Sequence, residues 1–219
     1  MPTSPNSAAA RGGNAVRVRR GVAVAVTAAA LVMVVVGGDW GGPAATYLPC
    51  RRNWGWLPSY LPRASPTRSA TTRLGLVRVK VCYGAPKLRG RHMLGGSFVP
   101  FGRLWRTGAN EPTTLRLGGT VVLGGVTVGP GKVSLYTIPG PETWEVIINR
   151  STSQWGLESE YVPAVAALEI GRVVLPSDTV ERAQEQLQFD FEPGATPEKA
   201  VLVLTWQTTR LRIPMHLPP

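Results

Sequence analysis

This chain is poor in the residues that most enzyme chemistry uses. Among 219 residues it has two cysteines, Cys50 and Cys82, and two histidines, His92 and His216. No C-x-x-C occurs, which excludes a zinc ribbon and a thioredoxin-like site. Neither G-x-S-x-G nor H-E-x-x-H occurs. A histidine-rich metal site is excluded, and His216 sits in a Pro-rich tail, so the expectation is no metal and no cofactor. Acidic residues are scarce at one end: before Val81 only Asp39 offsets eleven Lys/Arg. The formal charge is +11, but from Val81 on thirteen basic residues face twelve acidic ones. The surplus thus belongs to the N-terminal third, and a nucleic-acid partner is not expected. The cysteines are expected as two free thiols, since one falls in a linker and the other near a strand end; a disulfide is the alternative for an exported chain.

What the chain has is glycine and proline, 25 and 20 residues, and one long apolar run. Gly21 to Gly38 (GVAVAVTAAALVMVVVGG) carries no charge and follows Arg17, Arg19 and Arg20. A core helix of a soluble domain shows polar residues every three or four positions; this run does not. Its length approaches the roughly 17–20 residues that span a bilayer, and its basic flank would remain cytoplasmic. The anchor is the favoured reading, with a cleaved signal segment as the alternative. Residues 1–20 then form a basic cytoplasmic N-terminus, and 39–73 a Pro/Arg-rich linker. Within that linker Trp54-Gly55-Trp56-Leu57-Pro58-Ser59-Tyr60 forms an aromatic patch suited to a membrane interface or to packing on the domain behind it.

From residue 74 to 217 the hydrophobic period is two. Val77, Val79, Val81 and Tyr83 alternate with Arg78, Lys80 and Cys82, as in a half-buried strand. Residues 113–117 and 120–123, separated by Gly118-Gly119, read as a hairpin. Strands are also expected at 126–128, 132–138, 144–149, 200–207 and 211–213, and where Leu187, Phe189 and Phe191 alternate with polar residues. Residues 164–174 lean to strand. Only 179–186 resembles a helix, with Asp178 as its cap. The expectation is an all-β domain, an antiparallel β-sandwich or barrel of about nine short strands, preceded by one N-terminal transmembrane or signal helix.

Two motifs have bland readings. Gly125 to Lys132 imitates a phosphate-binding loop, but Val126 and Val133 break the pattern, and it lies between strands; it reads as a turn. Asn149-Arg150-Ser151 fits the N-glycosylation pattern, which is frequent by chance.

The densest constellation is Trp105, Arg106, Thr107, Asn110 and Glu111, a loop-to-strand corner. Arg offers a rigid fork of donors, Asn a donor and an acceptor, Glu an acceptor. Together they would clamp a polar ligand, or tie the corner through an internal Arg–Glu bridge. The bridge is the favoured reading.

The runs GRLWRTGANEPTT, GKVSLYTIPG, WEVIIN and QWG resemble the signature of a bacterial domain-of-unknown-function family, DUF2911. Tyr83 to Arg91 and Trp206 to Pro214 resemble it too, so the likeness covers Val77 to Pro214. It implies an exported or membrane-anchored bacterial protein and carries over no catalytic residue. The functional expectation is a membrane-tethered extracytoplasmic β domain with a binding or envelope-associated role, its seven Trp suited to stacking on a glycan or another flat small molecule. The alternative is a hydrolase or isomerase using Glu111 with Arg106.

Overall fold

The computed structural model describes residues 43–50 and 63–219. The run Gly21–Gly38 and the aromatic patch 54–60 lie outside them. Among the described residues no helix is long and apolar enough to cross a membrane.

After a 3-10 turn (Pro43–Thr46) come β1 (Thr67–Leu74), β2 (Val77–Gly84), β3 (Thr113–Leu117), β4 (Val121–Leu123), β5 (Val126–Val128), β6 (Gly131–Ile138) and β7 (Thr143–Asn149). A one-turn helix, α1 (Pro163–Ala166), precedes β8 (Glu169–Pro193) and β9 (Lys199–His216). The described residues are therefore all-β: among them nine antiparallel strands form one open sheet in the order β1-β2-β3-β6-β7-β8-β9-β4-β5. β8 runs 25 residues. Its first part pairs with β7 and the remainder, from Ser177, with β9.

Several expectations need correction. The linker does not extend to residue 73: Thr67–Leu74 is an edge strand on β2. Its β-branched threonines suit a strand, and its arginines and polar outer positions suit an edge, where charge discourages pairing with another chain. Gly118-Gly119 is no hairpin turn, because β3 pairs with β2 and β6 while β4 pairs with β5 and β9. Those glycines serve close approach instead: a Cβ on Gly118 would lie 3.0 Å from the Arg78 carbonyl, and one on Gly119 would lie 2.8 Å from the Val77 side chain. The turn that needs positive φ is Gly124-Gly125 (φ 57° and 93°), joining β4 to β5; only glycine takes both angles freely. Residues 179–186 are not helical but lie inside β8, since pairing across the sheet overrides a weak local propensity. Asp178, the expected cap, bonds Arg212 instead. Residues 164–174 divide between α1, with Pro163 at its first position, and the start of β8.

The core lies inside this sheet. Trp144, Trp206, Tyr136 and Phe189 are fully buried. Trp105 stacks on Trp206 with centroids 5.7 Å apart and meets Trp144 edge-on at 6.1 Å. Tyr83 of β2 meets Phe189 of β8 at 4.9 Å. Such aromatic pairs add roughly 0.5–1.5 kcal/mol each beyond the area they bury.

Candidate functional site

The corner at 105–111 is built on a backbone bridge between Trp105 and Thr137, with N–H···O distances of 2.7 and 2.9 Å. Trp105 is buried, and its Nε1 donates to the Gly108 carbonyl at 3.2 Å. Thr107 is buried with φ 58°, and its hydroxyl donates to Thr137 Oγ1 at 3.1 Å; Thr113 Oγ1 donates to the Thr107 carbonyl at 2.7 Å. Asn110, at φ 66°, donates from Nδ2 to the Ser65 carbonyl at 3.0 Å. Left-handed φ at two non-glycine residues is unusual, and these side-chain bonds hold the corner in that shape.

Arg106 and Glu111 do not pair with each other. Arg106 Nε lies 3.5 Å from Glu158 Oε1, and its NH1 donates to the Asn110 carbonyl at 3.3 Å. Glu111 takes both oxygens to Arg63 NH1, at 3.0 and 2.8 Å. Arg63 in turn lies 5.5 Å over the Trp155 ring. The corner thus ties three loops together through two separate charge pairs. The hollow beside Glu111 holds about 20 Å³, room for a single water.

Beside the corner the sheet carries a row of like charges. Lys80, Arg116 and Lys132 stand directly opposite one another on β2, β3 and β6. Like charges in this register are destabilising unless something answers them. Carbonyls of the segment 43–50 do so. Lys80 Nζ donates to the Leu48 carbonyl at 2.8 Å; Arg116 NH1 donates to those of Ala45, Leu48 and Pro49 at 3.0–3.1 Å. Arg78 Nε donates to the Thr46 carbonyl at 3.4 Å and stacks on Tyr47. Burial lowers the Lys80 pKa, and the neighbouring Arg116 and Arg78 lower it further.

A disulfide closes this segment onto the sheet. Cys50 and Cys82 are bonded, with Cα atoms 5.7 Å apart, inside the usual range for a bridge. This corrects the expectation of two free thiols. The reason is placement: residues 45–49 lie against β2 and β3 instead of trailing as a linker. An even cysteine count was the available hint.

Two larger concavities lie elsewhere, on β8. Between the pairs Thr179–Thr209 and Gln184–Gln207, four β8 residues (Val180, Glu181, Arg182, Ala183) face one β9 residue, Thr208. Between Gln184–Gln207 and Gln188–Thr205, three (Glu185, Gln186, Leu187) face Trp206. This double bulge centres on Gln207, whose φ is 56°. Its Oε1 accepts from the backbone N–H of Met93 and Leu94 at 2.8 and 2.9 Å, and its Nε2 meets His92 Nδ1 at 3.2 Å. Two hollows flank the bulge, of about 520 and 580 Å³, sharing Gln184, Gln188 and Asp190 as a common wall. Neither is legible in the amino-acid pattern, because both arise from register shifts within the ladder of the consecutive strands β8 and β9, where the extra β8 residues carry no turn signal of their own.

Other candidates resolve into scaffold. Asn149 is fully buried; its Nδ2 donates to Tyr161 Oη and to the Val165 carbonyl, and its Oδ1 accepts from Ser151 N–H. It offers no glycan acceptor in the folded protein. Tyr161 Oη donates to Glu169 at 2.6 Å. Burial raises the Tyr161 pKa well above its usual value, while the Arg172 fork lowers that of Glu169. Trp105, Trp144 and Trp206 are buried and present no face to a sugar. Among the described residues no group of three or more His, Cys, Asp or Glu converges.

No curated protein and no solved structure matches this chain. One family model does, over residues 65–215, a span that contains the corner, the basic row, Cys82 and the double bulge. On that match the chain belongs to the family described as protein of unknown function, DUF2911.

Proposed function

We propose that this chain is an extracytoplasmic β domain, tethered to the bacterial cell membrane by the segment Gly21–Gly38, whose role is to bind a ligand and not to transform one. The observation that carries the reading is the Cys50–Cys82 disulfide. Disulfides persist in oxidising compartments and are rare in the cytosol, and the uncharged run with its basic flank supplies a route out. If the segment is cleaved instead, the same domain is secreted. We read the sheet as a barrel-like sandwich, because the segment after β2 closes onto β8: Leu88 N–H donates to Glu185 and Leu187 N–H to Pro86, both at 2.9 Å.

Binding is favoured over catalysis by the state of the corner. A catalytic Glu needs an open pocket and a perturbed environment, whereas Glu111 is held by Arg63 beside a hollow for one water. The pairing of Glu111 with Arg63 therefore speaks against the hydrolase or isomerase alternative. The basic row bonds backbone carbonyls, and the domain from Val81 on carries a net +1, so DNA and RNA are not the intended partners.

The test is the thiol state in cells. Intact cells are treated with a membrane-impermeant maleimide, before and after reduction, and then fractionated. The reading expects label only after reduction, with the protein in the membrane fraction. Free thiols that react only after the cells are lysed would place the domain in the cytoplasm and end it.

A further inference from the structure

We infer that the double bulge of β8 is the binding site, and that its ligand is a neutral, hydroxyl-rich chain such as an oligosaccharide. The inference rests on the binding role proposed above and names the site and ligand class. Bulges concentrate where a sheet is re-aimed for a purpose, and a non-glycine residue in left-handed conformation survives only where its surroundings over-determine it. Here both coincide at Gln207, and the surroundings are the two backbone donors that its side chain accepts. The consequence is a pair of adjoining hollows, each within the roughly 300–1,000 Å³ of ordinary ligand sites.

Their shared wall sets the ligand class. Gln184 Nε2 donates to the Gln186 carbonyl and to Gln188 Oε1, both at 3.1 Å, and Gln188 Nε2 donates to Asp190 Oδ2. This chain of bonds fixes the amide orientations. It uses both amide hydrogens of Gln184 and one of Gln188. Gln184 Oε1 and Asp190 Oδ1 are left to accept, and the second Gln188 hydrogen to donate. Thr179 of β8 and Thr205 of β9 add hydroxyls. A wall that mixes donors and acceptors at short intervals matches a ligand whose groups do both, and a sugar hydroxyl is that group. Arg182 and Arg210 line the same hollow as Glu181 and Asp190, so no single sign of charge is favoured. Tyr83 and Phe189 at the inner rim are buried, which disfavours a flat apolar ligand. Two hollows along one wall suit several linked rings better than one.

The test uses the full chain in detergent micelles, labelled with ¹⁵N-glutamine, titrated separately with maltohexaose, cellohexaose and chitohexaose. At least one should move the side-chain amide signals of Gln184 and Gln188 saturably. Gln188→Ala with Asp190→Ala removes two exposed partners and should weaken that binding about tenfold, with the far-ultraviolet circular dichroism unchanged. Asp190→Asn, which keeps the shape, gives a second reading if the double variant misfolds. Absence of saturable shifts with all three sugars, or binding that both variants leave intact, overturns the inference. The thiol and fractionation results stand apart from this outcome, so the ligand class can fail while the exported binding domain survives.

Discussion

Removing the disulfide tests how the N-terminal approach is held. In Cys50→Ser/Cys82→Ala the two cysteines, 32 residues apart, no longer restrict the unfolded chain. Loop-closure entropy for that separation is worth about 3.7 kcal/mol at 25 °C. The native state loses no backbone hydrogen bond directly, since Lys80 and Arg116 still face the carbonyls of residues 45–49. For a domain of this size the loss lowers Tm by roughly 7–15 °C, with the denaturant midpoint falling and the slope rising as the unfolded chain expands. A second readout is local. Without its covalent anchor, segment 43–50 opens more often, so its amides exchange faster and Lys80 regains water. Burial is the first cause of the lowered Lys80 pKa, so that pKa should move back up toward the ordinary lysine value. Both changes are measurable, by urea denaturation and by pH-dependent acylation of Lys80 read by mass spectrometry. A loss below about 1 kcal/mol together with unchanged Lys80 reactivity would refute the view that the bridge seats this segment on the basic row.

The corner gives an unequal pair of effects. Arg106→Ala should cost about 1 kcal/mol, because its partner Glu158 is 38 % exposed, whereas Glu111→Ala should cost about 2–3 kcal/mol by stripping Arg63 of a charge-assisted bond at 15–16 % exposure; equal losses in thermal denaturation would contradict the assignment of partners. Gln207→Ala loses two accepted backbone hydrogen bonds and keeps a Cβ at left-handed φ, so Gln207→Gly should be the more stable of the two by about 1 kcal/mol; the reverse order would mean that φ is not what this position constrains. Burial raises the pKa of Tyr83, Tyr136 and Tyr161, so their contribution is intact below the unfolded value of about 10 and is lost as pH rises above it. Tm should therefore be flat near neutrality and fall beyond about pH 10, less steeply in Tyr161→Phe. Glu169 is depressed, first by Arg172; its contribution is present above about pH 4.3 and lost on acidification, which Glu169→Gln should blunt.

The sequence by itself determined the fold class and the family. Alternation of Val77, Val79 and Val81 with polar neighbours puts one face of a strand inward whatever the rest of the chain does, and Gly/Pro punctuation sets where strands stop. The RTGANE corner was legible as a corner for the same local reason. What pairs with what was not legible, because it depends on residues far apart in the chain. Arg106 and Glu111 are five positions apart, yet their partners are Glu158 and Arg63, brought in by other loops. Thr67–Leu74 looks like linker because an edge strand of this sheet is polar; only pairing to β2 makes it a strand. Cys50 meets Cys82 because carbonyls of residues 45–49 answer cations that three strands align. The double bulge is illegible for another reason, since it forms between the consecutive strands β8 and β9. Nothing in the residues 179–188 marks it, and it exists because β8 and β9 differ in length along one ladder, a mismatch that only the assembled sheet creates.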